Sequence, residues 1–167
     1  VSNSSKYDEV LAGTNSFSAQ EKKGYALFQQ KCNACHTEPL FTNDAFMSNG
    51  LAMNDTLQDL GRGSVTHLKS DERLFKVPSL RNIEMSFPYM HDGRFRTLQQ
   101  VMNHYESIQG NEENISSPLN HSLNLTSNDK QDLIAFLLTL TDHDFLTRKE
   151  FQFPQNLQHE IIQRTHP

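Results

Sequence analysis

The chain has 167 residues, a hydrophobic fraction of 35% and a formal net charge of −5 at pH 7. This length predicts one domain or slightly more, and the acidic balance argues against general nucleic-acid binding. No apolar run reaches the roughly 20 residues that a membrane-spanning helix needs, and the longest run, around residues 133–140, suits a buried helix.

The chain begins with a polar, turn-rich stretch, residues 1–16, which we interpret as an extended lead-in. The first helix signal follows at Ser18, with Glu21 three residues later, a pair typical of a capping box. Tyr25 and Phe28 continue it on a helical stripe. We therefore expect a helix that leads directly into the next motif.

Both cysteines of the chain lie in a C-x-x-C-H segment, in which His36 follows Cys32 and Cys35. Each thiol can add to one haem vinyl group, and the histidine can then bind iron as the proximal ligand. A structural zinc site normally needs four ligands, and a second pair is missing. A thioredoxin-like pair is expected in a βαβ unit, whereas the flanking sequence predicts helix. A plain disulfide does not explain the histidine.

The motif therefore predicts one covalently attached haem c. Because this attachment takes place outside the bacterial cytoplasm, we expect an exported, periplasmic protein. The first residue is Val1 rather than Met, which we interpret as processing or excision.

The remaining chain predicts loops followed by two helices. Residues 37–94 lack a sustained period, and irregular segments of this length are typical of functional or cofactor-binding loops. Thr97 and Gln100 form a second capping box, and a third helix begins at Thr126 or Ser127. The order of these elements predicts an all-α, class I cytochrome c-like haem domain with long irregular loops. We place the lead-in at 1–16, the haem domain at 17–146, and a tail packed on the domain at 147–167.

The ligand on the second face of the haem decides the chemistry of the iron. A neutral thioether favours ferrous iron and raises the reduction potential, whereas an anionic phenolate favours ferric iron. Met102 and Tyr105 are three residues apart and therefore share one helix face. Each could bind the iron, or could be an ordinary core side chain. Patterning alone does not choose among the candidates, which are Met47, Met53, Met85, Met90, Met102, His91, His104 and Tyr105.

Several segments in the same order resemble one family. They are residues 31–42 (KCNACHTEPLFT), 75–83 (FKVPSLRNI), 88–95 (PYMHDGRF) and 137–146 (LLTLTDHDFL). They are similar to the bacterial di-haem cytochrome c peroxidases, including the MauG-like branch. Even residues 5–10 resemble the segment that joins the two halves of such enzymes.

The resemblance implies a missing partner. In that family an N-terminal domain holds the peroxidatic haem, and a C-terminal domain holds an electron-transferring haem. This chain resembles only the C-terminal half. The expected partners are therefore an N-terminal peroxidatic haem domain and a small redox protein as electron donor.

By position in the family, Cys32 and Cys35 hold the haem and His36 is the proximal ligand. The distal position falls on Tyr105, as in MauG-like members, with Met102 as the alternative and a vacant or water-bound face as the third option.

Three further expectations concern the surroundings of the haem. Arg62 and Arg81 are candidates for pairing with haem propionates, with a surface salt bridge as the alternative for each. His91 is expected in a loop that faces the other haem domain, with a loop histidine hydrogen-bonded to backbone as the alternative. Carbonyl groups around Ser86 and Pro88 match this half's share of a calcium site between the domains.

The favoured function is thus the electron-transferring half of a di-haem peroxidase or MauG-like oxidase, with no catalytic residue in this domain. The alternatives are a stand-alone monohaem electron carrier and a redox or gas sensor. A haem with both faces occupied offers no open position for peroxide, so we expect little peroxidase turnover from this chain alone.

Overall fold

The structure, a computed structural model, describes residues 2–108, 114–119 and 121–151. Its helices are α1 (Lys6–Leu11), α2 (Ala19–Lys31), α3 (Gly63–Thr66), α4 (Leu98–Ser107), α5 (Ser127–Leu138) and α6 (His143–Thr147). Two strands, β1 (Phe46–Met47) and β2 (Phe75–Lys76), pair antiparallel, with Phe46 opposite Lys76. Short 3₁₀ turns lie at Lys69–Asp71, Ile83–Met85, Ser117–Leu119 and Lys149–Phe151. The expected all-α fold with long loops is confirmed.

The helices begin where their capping residues predict. Ser18 accepts a hydrogen bond from the backbone of Glu21, and Thr97 accepts one from the backbone of Gln100. In return, the Glu21 and Gln100 side chains accept from the backbone amides of Ser18 and Thr97. Two otherwise unpaired backbone donors are thus satisfied at each helix start. Thr126 caps α5 in the same way. The three predicted helix starts are therefore confirmed.

Helices α2 and α5 form the main packing contact, and Gly24 permits their close approach. A Cβ atom at this position would lie 1.9 Å from the carbonyl oxygen of Asp132 on α5. No side chain fits in that space, so glycine is required although it weakens a helix interior. On the same two helices, Phe28 and Phe136 are fully buried, with their rings 5.1 Å apart.

The first helix corrects the prediction of an extended lead-in. Ser5 and Asp8 form a capping box, so residues 6–11 turn as a helix. Tyr7 is 1% exposed, and its ring lies 4.8 Å from that of Phe41 in the core. The Tyr7 amide also donates to the Thr139 carbonyl at 3.0 Å. One buried aromatic side chain anchors a segment too short to show a helical period.

The C-terminal part is described as far as residue 151. Asp142 caps α6 by accepting from the Phe145 amide at 2.8 Å, and the rings of Phe145 and Phe151 lie 4.8 Å apart. The predicted packing of the tail falls mostly on residues 152–167, outside the described residues. Among the helices of the described ranges, none combines the length and the apolar character that crossing a membrane requires.

Candidate functional site

A cavity of about 610 Å³ opens between α2, α4, α5 and the loops of residues 47–91. Its volume lies within the range of protein sites for small molecules and cofactors. The apolar part of its lining comes from all three helices, for example from Phe28, Val101 and Leu133. The predicted site residues that line it are Cys32, Cys35, His36, Arg81, Met102 and Tyr105.

The two cysteines lie where α2 ends. Cys32 is the C-terminal cap of the helix, and the amides of Cys35 and His36 both donate to its carbonyl, which folds the motif into a tight turn. Both thiols are free. Burial raises the pKa of Cys32 to about 12, with a smaller effect from Cys35, and burial also raises the pKa of Cys35. Neither thiol has the lowered pKa of a redox-active nucleophile.

The zinc and thioredoxin alternatives lack their structural context. Within the described ranges, no three His, Cys, Asp or Glu side chains form a group that could hold a metal ion. The sheet found there consists of two antiparallel strands of two residues each, which is not a βαβ unit.

The His36 imidazole is oriented by backbone carbonyls. Its Nδ1–H donates to the carbonyl of Phe41 at 3.1 Å and to that of Pro78 at 3.2 Å. These bonds leave the lone pair on Nε2, the nitrogen available for a metal. Burial lowers the pKa of His36 and outweighs the opposite effect of the two bonds. The two carbonyls therefore hold the imidazole in the tautomer that leaves Nε2 able to bind a metal.

Helix α4 supplies another wall of the cavity. The Thr97 cap starts the helix, and its Leu98, Val101 and Met102 side chains are buried. Met102 and Tyr105, three residues apart, both line the cavity. Burial raises the pKa of Tyr105 to about 12, the nearby Cys32 adds to the effect, and a side-chain hydrogen bond with Asn49 opposes it.

Asn49 is a cavity residue that the sequence reasoning missed. Its Nδ2 donates to Met90 Sδ at 3.2 Å, and its backbone carbonyl accepts from His104 Nε2 at 2.9 Å. The Asn49-Gly50 pair is a common turn signal, so nothing local distinguishes this side chain from that of an ordinary turn residue.

The remaining distal candidates divide into two groups. Met47, Met90 and His91 line the cavity, and the His91 ring stacks on Phe75 with 3.8 Å between ring centroids. Met53 and Met85 are exposed instead, and His104 bonds the backbone carbonyl of Asn49. None of these three side chains lines the cavity.

The two candidate propionate arginines occupy different places. Arg62 is not among the lining residues; it pairs with Asp71 at 2.8 Å and covers the Phe46 ring. Arg81 does line the cavity, but its guanidinium bonds Asp8 through both Nη atoms at 2.9 Å. Its Nε donates to the Pro39 carbonyl at 3.0 Å. The structure therefore gives both arginines protein partners.

The cavity fits a haem c on three counts. Its volume and apolar walls suit a large flat cofactor, two free thiols lie at its edge, and His36 presents Nε2 while Met102 and Tyr105 line the α4 wall. When bound, such a group would supply a one-electron iron centre.

Curated relatives share this sequence over most of its length. A methylamine utilization protein MauG of Methylophilus methylotrophus is 37% identical over 147 residues, which is 84% of this chain and 42% of the relative. Cytochrome c551 peroxidase of Nitrosomonas europaea is 34% identical over 145 residues, 84% of this chain and 40% of the relative. The chain thus spans less than half the length of these relatives. No family model matches it.

Solved structures share the fold. A MauG-like protein associated with microbial copper homeostasis superposes with a TM-score of 0.75 and 28% identity, covering 92% of this chain and 53% of that one. The dihaem peroxidase BthA of Burkholderia thailandensis gives a TM-score of 0.69 at 23% identity, covering 86% and 48%, and shows the likeness of fold alone.

Proposed function

Because the chain belongs to the family of MauG and the bacterial cytochrome c peroxidases, we propose that it is the electron-transferring half of a di-haem protein. It would carry one covalent haem c and pass electrons to a peroxidatic haem on a domain outside this chain. The parent protein would reduce peroxide or act as a MauG-like oxidase. The relatives' greater length supports the partner domain.

One observation carries the proposal: side chains that could bind iron line the cavity on two different walls. His36 comes from the turn after α2, and Tyr105 and Met102 come from α4. Cys32 and Cys35 would attach the haem, His36 would bind the iron from one face, and Tyr105 from the other. Iron held on both faces can exchange electrons but lacks the open position that peroxide needs.

Tyr105 is our first choice for the distal position and Met102 the alternative. Tyr105 is half-buried and lines the cavity from α4. A phenolate is anionic and therefore favours the ferric state, which suits a centre that works with oxidants.

Further parts of the proposal concern the environment. We place the protein in the bacterial periplasm, where haem attachment to this motif takes place, and expect a small redox protein as electron donor. The carbonyls around Ser86 and Pro88 would contribute to a calcium site that the other domain completes. Arg81 stays a candidate for the propionates by its position at the cavity, whereas Arg62 is the weaker candidate.

The test compares the haem-loaded chain with the same chain joined to a peroxidatic haem domain. We expect the chain alone to retain haem on a denaturing gel and to accept one electron reversibly. Its peroxide turnover should be at least about 100-fold below that of the joined protein, because it lacks an open iron position with an acid–base group. A variant with Cys32→Ser and Cys35→Ser, which cannot form thioethers, controls for attachment.

The same preparations separate the alternatives. Vigorous peroxide turnover by the chain alone would contradict the proposal. A parent reading frame without a second C-x-x-C-H would instead favour a stand-alone monohaem carrier. Ready binding of carbon monoxide by the ferrous protein would favour a sensor with an exchangeable ligand.

A further inference from the structure

The two carbonyl groups that orient His36 belong to segments far apart in the sequence. His36 Nδ1 donates to the carbonyl of Phe41 at 3.1 Å and to that of Pro78 at 3.2 Å. Phe41 follows the cysteine motif closely, whereas Pro78 comes 42 positions after His36. Both bonds form only because residues 39–42 and 77–81 are held side by side. We call these two segments the histidine clamp.

Four hydrogen bonds hold the two segments of the histidine clamp together. The Leu80 amide donates to the Phe41 carbonyl at 3.3 Å. The other three bonds run from a side chain to a carbonyl at 2.6, 2.6 and 3.0 Å, namely from Thr42 Oγ1 to Val77, from Ser79 Oγ to Leu40 and from Arg81 Nε to Pro39. Side chains therefore provide most of the pairing between these segments.

Arg81 is itself fixed by a partner outside the histidine clamp. Its two Nη atoms bond both carboxylate oxygens of Asp8 on α1 at 2.9 Å, and its guanidinium carbon lies 5.6 Å from the centre of the Phe41 ring. Because the two-pronged bond to Asp8 fixes the guanidinium plane, the remaining Nε–H is aimed at the Pro39 carbonyl. Helix α1 thereby supports the loop that carries the Phe41 carbonyl.

Phe41 has a backbone conformation that needs such support. Its φ of 56° lies in the left-handed region, which is uncommon for a bulky residue and persists where the surrounding structure determines it. Its ring is fully buried, 4.8 Å from that of Tyr7. Its carbonyl accepts from both Leu80 and His36, as two lone pairs allow. The direction of this carbonyl therefore depends on the histidine clamp.

Hydrogen bonds at Nδ1 of an imidazole affect its other nitrogen. Donating the Nδ1–H bond leaves more electron density on the ring and makes Nε2 a stronger donor to a metal. A stronger donor favours ferric over ferrous iron and so lowers the reduction potential. Moving either carbonyl away from Nδ1 would therefore raise the potential.

We propose that Arg81 and Ser79 are positioning residues for His36, which hold the histidine clamp together and so set how strongly the imidazole donates electrons to iron. The inference rests on the proposed function, in which His36 binds the haem iron. It goes further by giving Arg81 a role at the iron that requires no contact with the haem propionates.

The first arm of the test measures the reduction potential of the haem-loaded chain and of its Arg81→Lys variant. Lysine keeps the positive charge but cannot bond Asp8 and the Pro39 carbonyl as the guanidinium does. We expect the preference for ferric iron to weaken at least about threefold, which at about 59 mV per tenfold is a rise of roughly 28 mV. Arg148→Lys is the matched control, because Arg148 pairs with a carboxylate but does not line the cavity, and it should leave the potential unchanged.

The second arm uses Ser79→Ala, which changes no charge and keeps the inference testable even if Arg81→Lys does not fold. The potential should again rise, and Ser79→Thr, which retains the hydroxyl, should restore it. Ser122→Ala is the control, because Ser122 Oγ donates to the Glu106 carbonyl at 2.6 Å outside the cavity lining. A shift in Arg81→Lys without any shift in Ser79→Ala would assign the effect to the guanidinium alone and overturn the inference.

Two further measurements connect the effect to His36. The electron paramagnetic resonance g values of the ferric protein depend on the axial imidazole, and they should change in Arg81→Lys and Ser79→Ala but not in the controls. Hydrogen exchange of the Leu80 amide should be faster in the same two variants. Faster exchange with an unchanged potential and unchanged g values would overturn the inference and leave the proposed function standing. A chain that takes up no covalent haem would overturn both.

Discussion

The Arg81 guanidinium links three segments that are distant in the sequence. It bonds both carboxylate oxygens of Asp8 on α1 and the carbonyl of Pro39 in the loop after the cysteine motif. Its side chain is only 9% exposed, so water competes little for these bonds. A buried arginine with fixed partners contributes to folding whether or not it also meets a propionate.

Replacing Arg81 by lysine should therefore reduce stability. A lysine ammonium cannot reproduce the planar, two-pronged bond to Asp8, and we expect a loss of about 2 kcal/mol in the free energy of unfolding. Denaturant titration of the haem-loaded chain measures it.

Arg62→Lys is the matched control for this measurement. The Arg62 side chain is 41% exposed and pairs with Asp71, so the control should change stability by less than about 1 kcal/mol. Equal effects of the two variants would contradict the structural role of Arg81.

At the scale of elements, the contact between α2 and α5 positions the haem motif. Helix α2 ends at Lys31, next to Cys32, and Lys31 Nζ donates to the Leu123 carbonyl ahead of α5 at 2.8 Å. Any change in the spacing of these helices would move the two thiols relative to the cavity. Gly24 sets that spacing, because a Cβ atom at this position would overlap the backbone of Asp132 on α5.

Gly24→Ala should be strongly destabilising. The added Cβ would meet the Asp132 carbonyl carbon at 2.6 Å as well as its oxygen, and backbone cannot move aside as a side chain can. We expect a loss of about 3 kcal/mol or more, above the gain that alanine normally brings to a helix. Thermal unfolding followed by circular dichroism measures the effect.

Lys23→Ala provides the comparison on the same helix, because Lys23 is exposed. It should leave the unfolding temperature nearly unchanged. A tolerated Gly24→Ala variant would show that α2 and α5 can separate without loss of the fold.

Across the whole molecule, the N-terminal segment joins the C-terminal end of the domain. The amides of Asn3 and Ser4 donate to Asp142 Oδ2 at 2.9 and 3.0 Å. Burial alone would raise the pKa of Asp142, but hydrogen bonds from the Phe145, Ser4 and Asn3 amides outweigh it and the pKa is lowered. This segment is therefore part of the domain's core architecture.

The pKa of Asp8 follows the same pattern on the other side of this junction. Burial would raise it, but the bonds from Arg81 and Ser5 dominate and the pKa of Asp8 is lowered. A carboxyl whose folded pKa lies below its unfolded value stabilises the fold above the unfolded pKa, about 3.9 for aspartate. That contribution is lost as the pH falls through the lower folded value.

We therefore expect the contribution of Asp8 to the unfolding free energy to be steady above about pH 5 and to fall below about pH 4. Asp8→Asn should lower stability at neutral pH by about 3 kcal/mol, since Arg81 loses its charged partner, and should make the acid dependence shallower. Urea titrations at several pH values measure both effects. The exposed Asp55→Asn variant is the control and should retain the original slope.

Much of the fold was predictable because its signals are local. The capping pairs at Ser18, Thr97 and Thr126 lie within one helical turn, so neighbouring residues alone mark where the helices begin. Helix α1 was missed because six residues show no period, and only the burial of Tyr7 reveals its role. The bond between Arg81 and Asp8 was not predictable either, because the two residues are 73 positions apart in the sequence.

The order Cys32, Cys35, His36 and the spacing of Met102 and Tyr105 were enough to propose a haem and its candidate ligands. The tertiary structure alone decided which of those candidates share one cavity, which carbonyls orient His36, and that Asn49 lines the cavity beside Met90. The reason is physical: covalent attachment and helix capping act between near neighbours. The position of an amide from a loop without periodicity depends instead on packing across the whole chain.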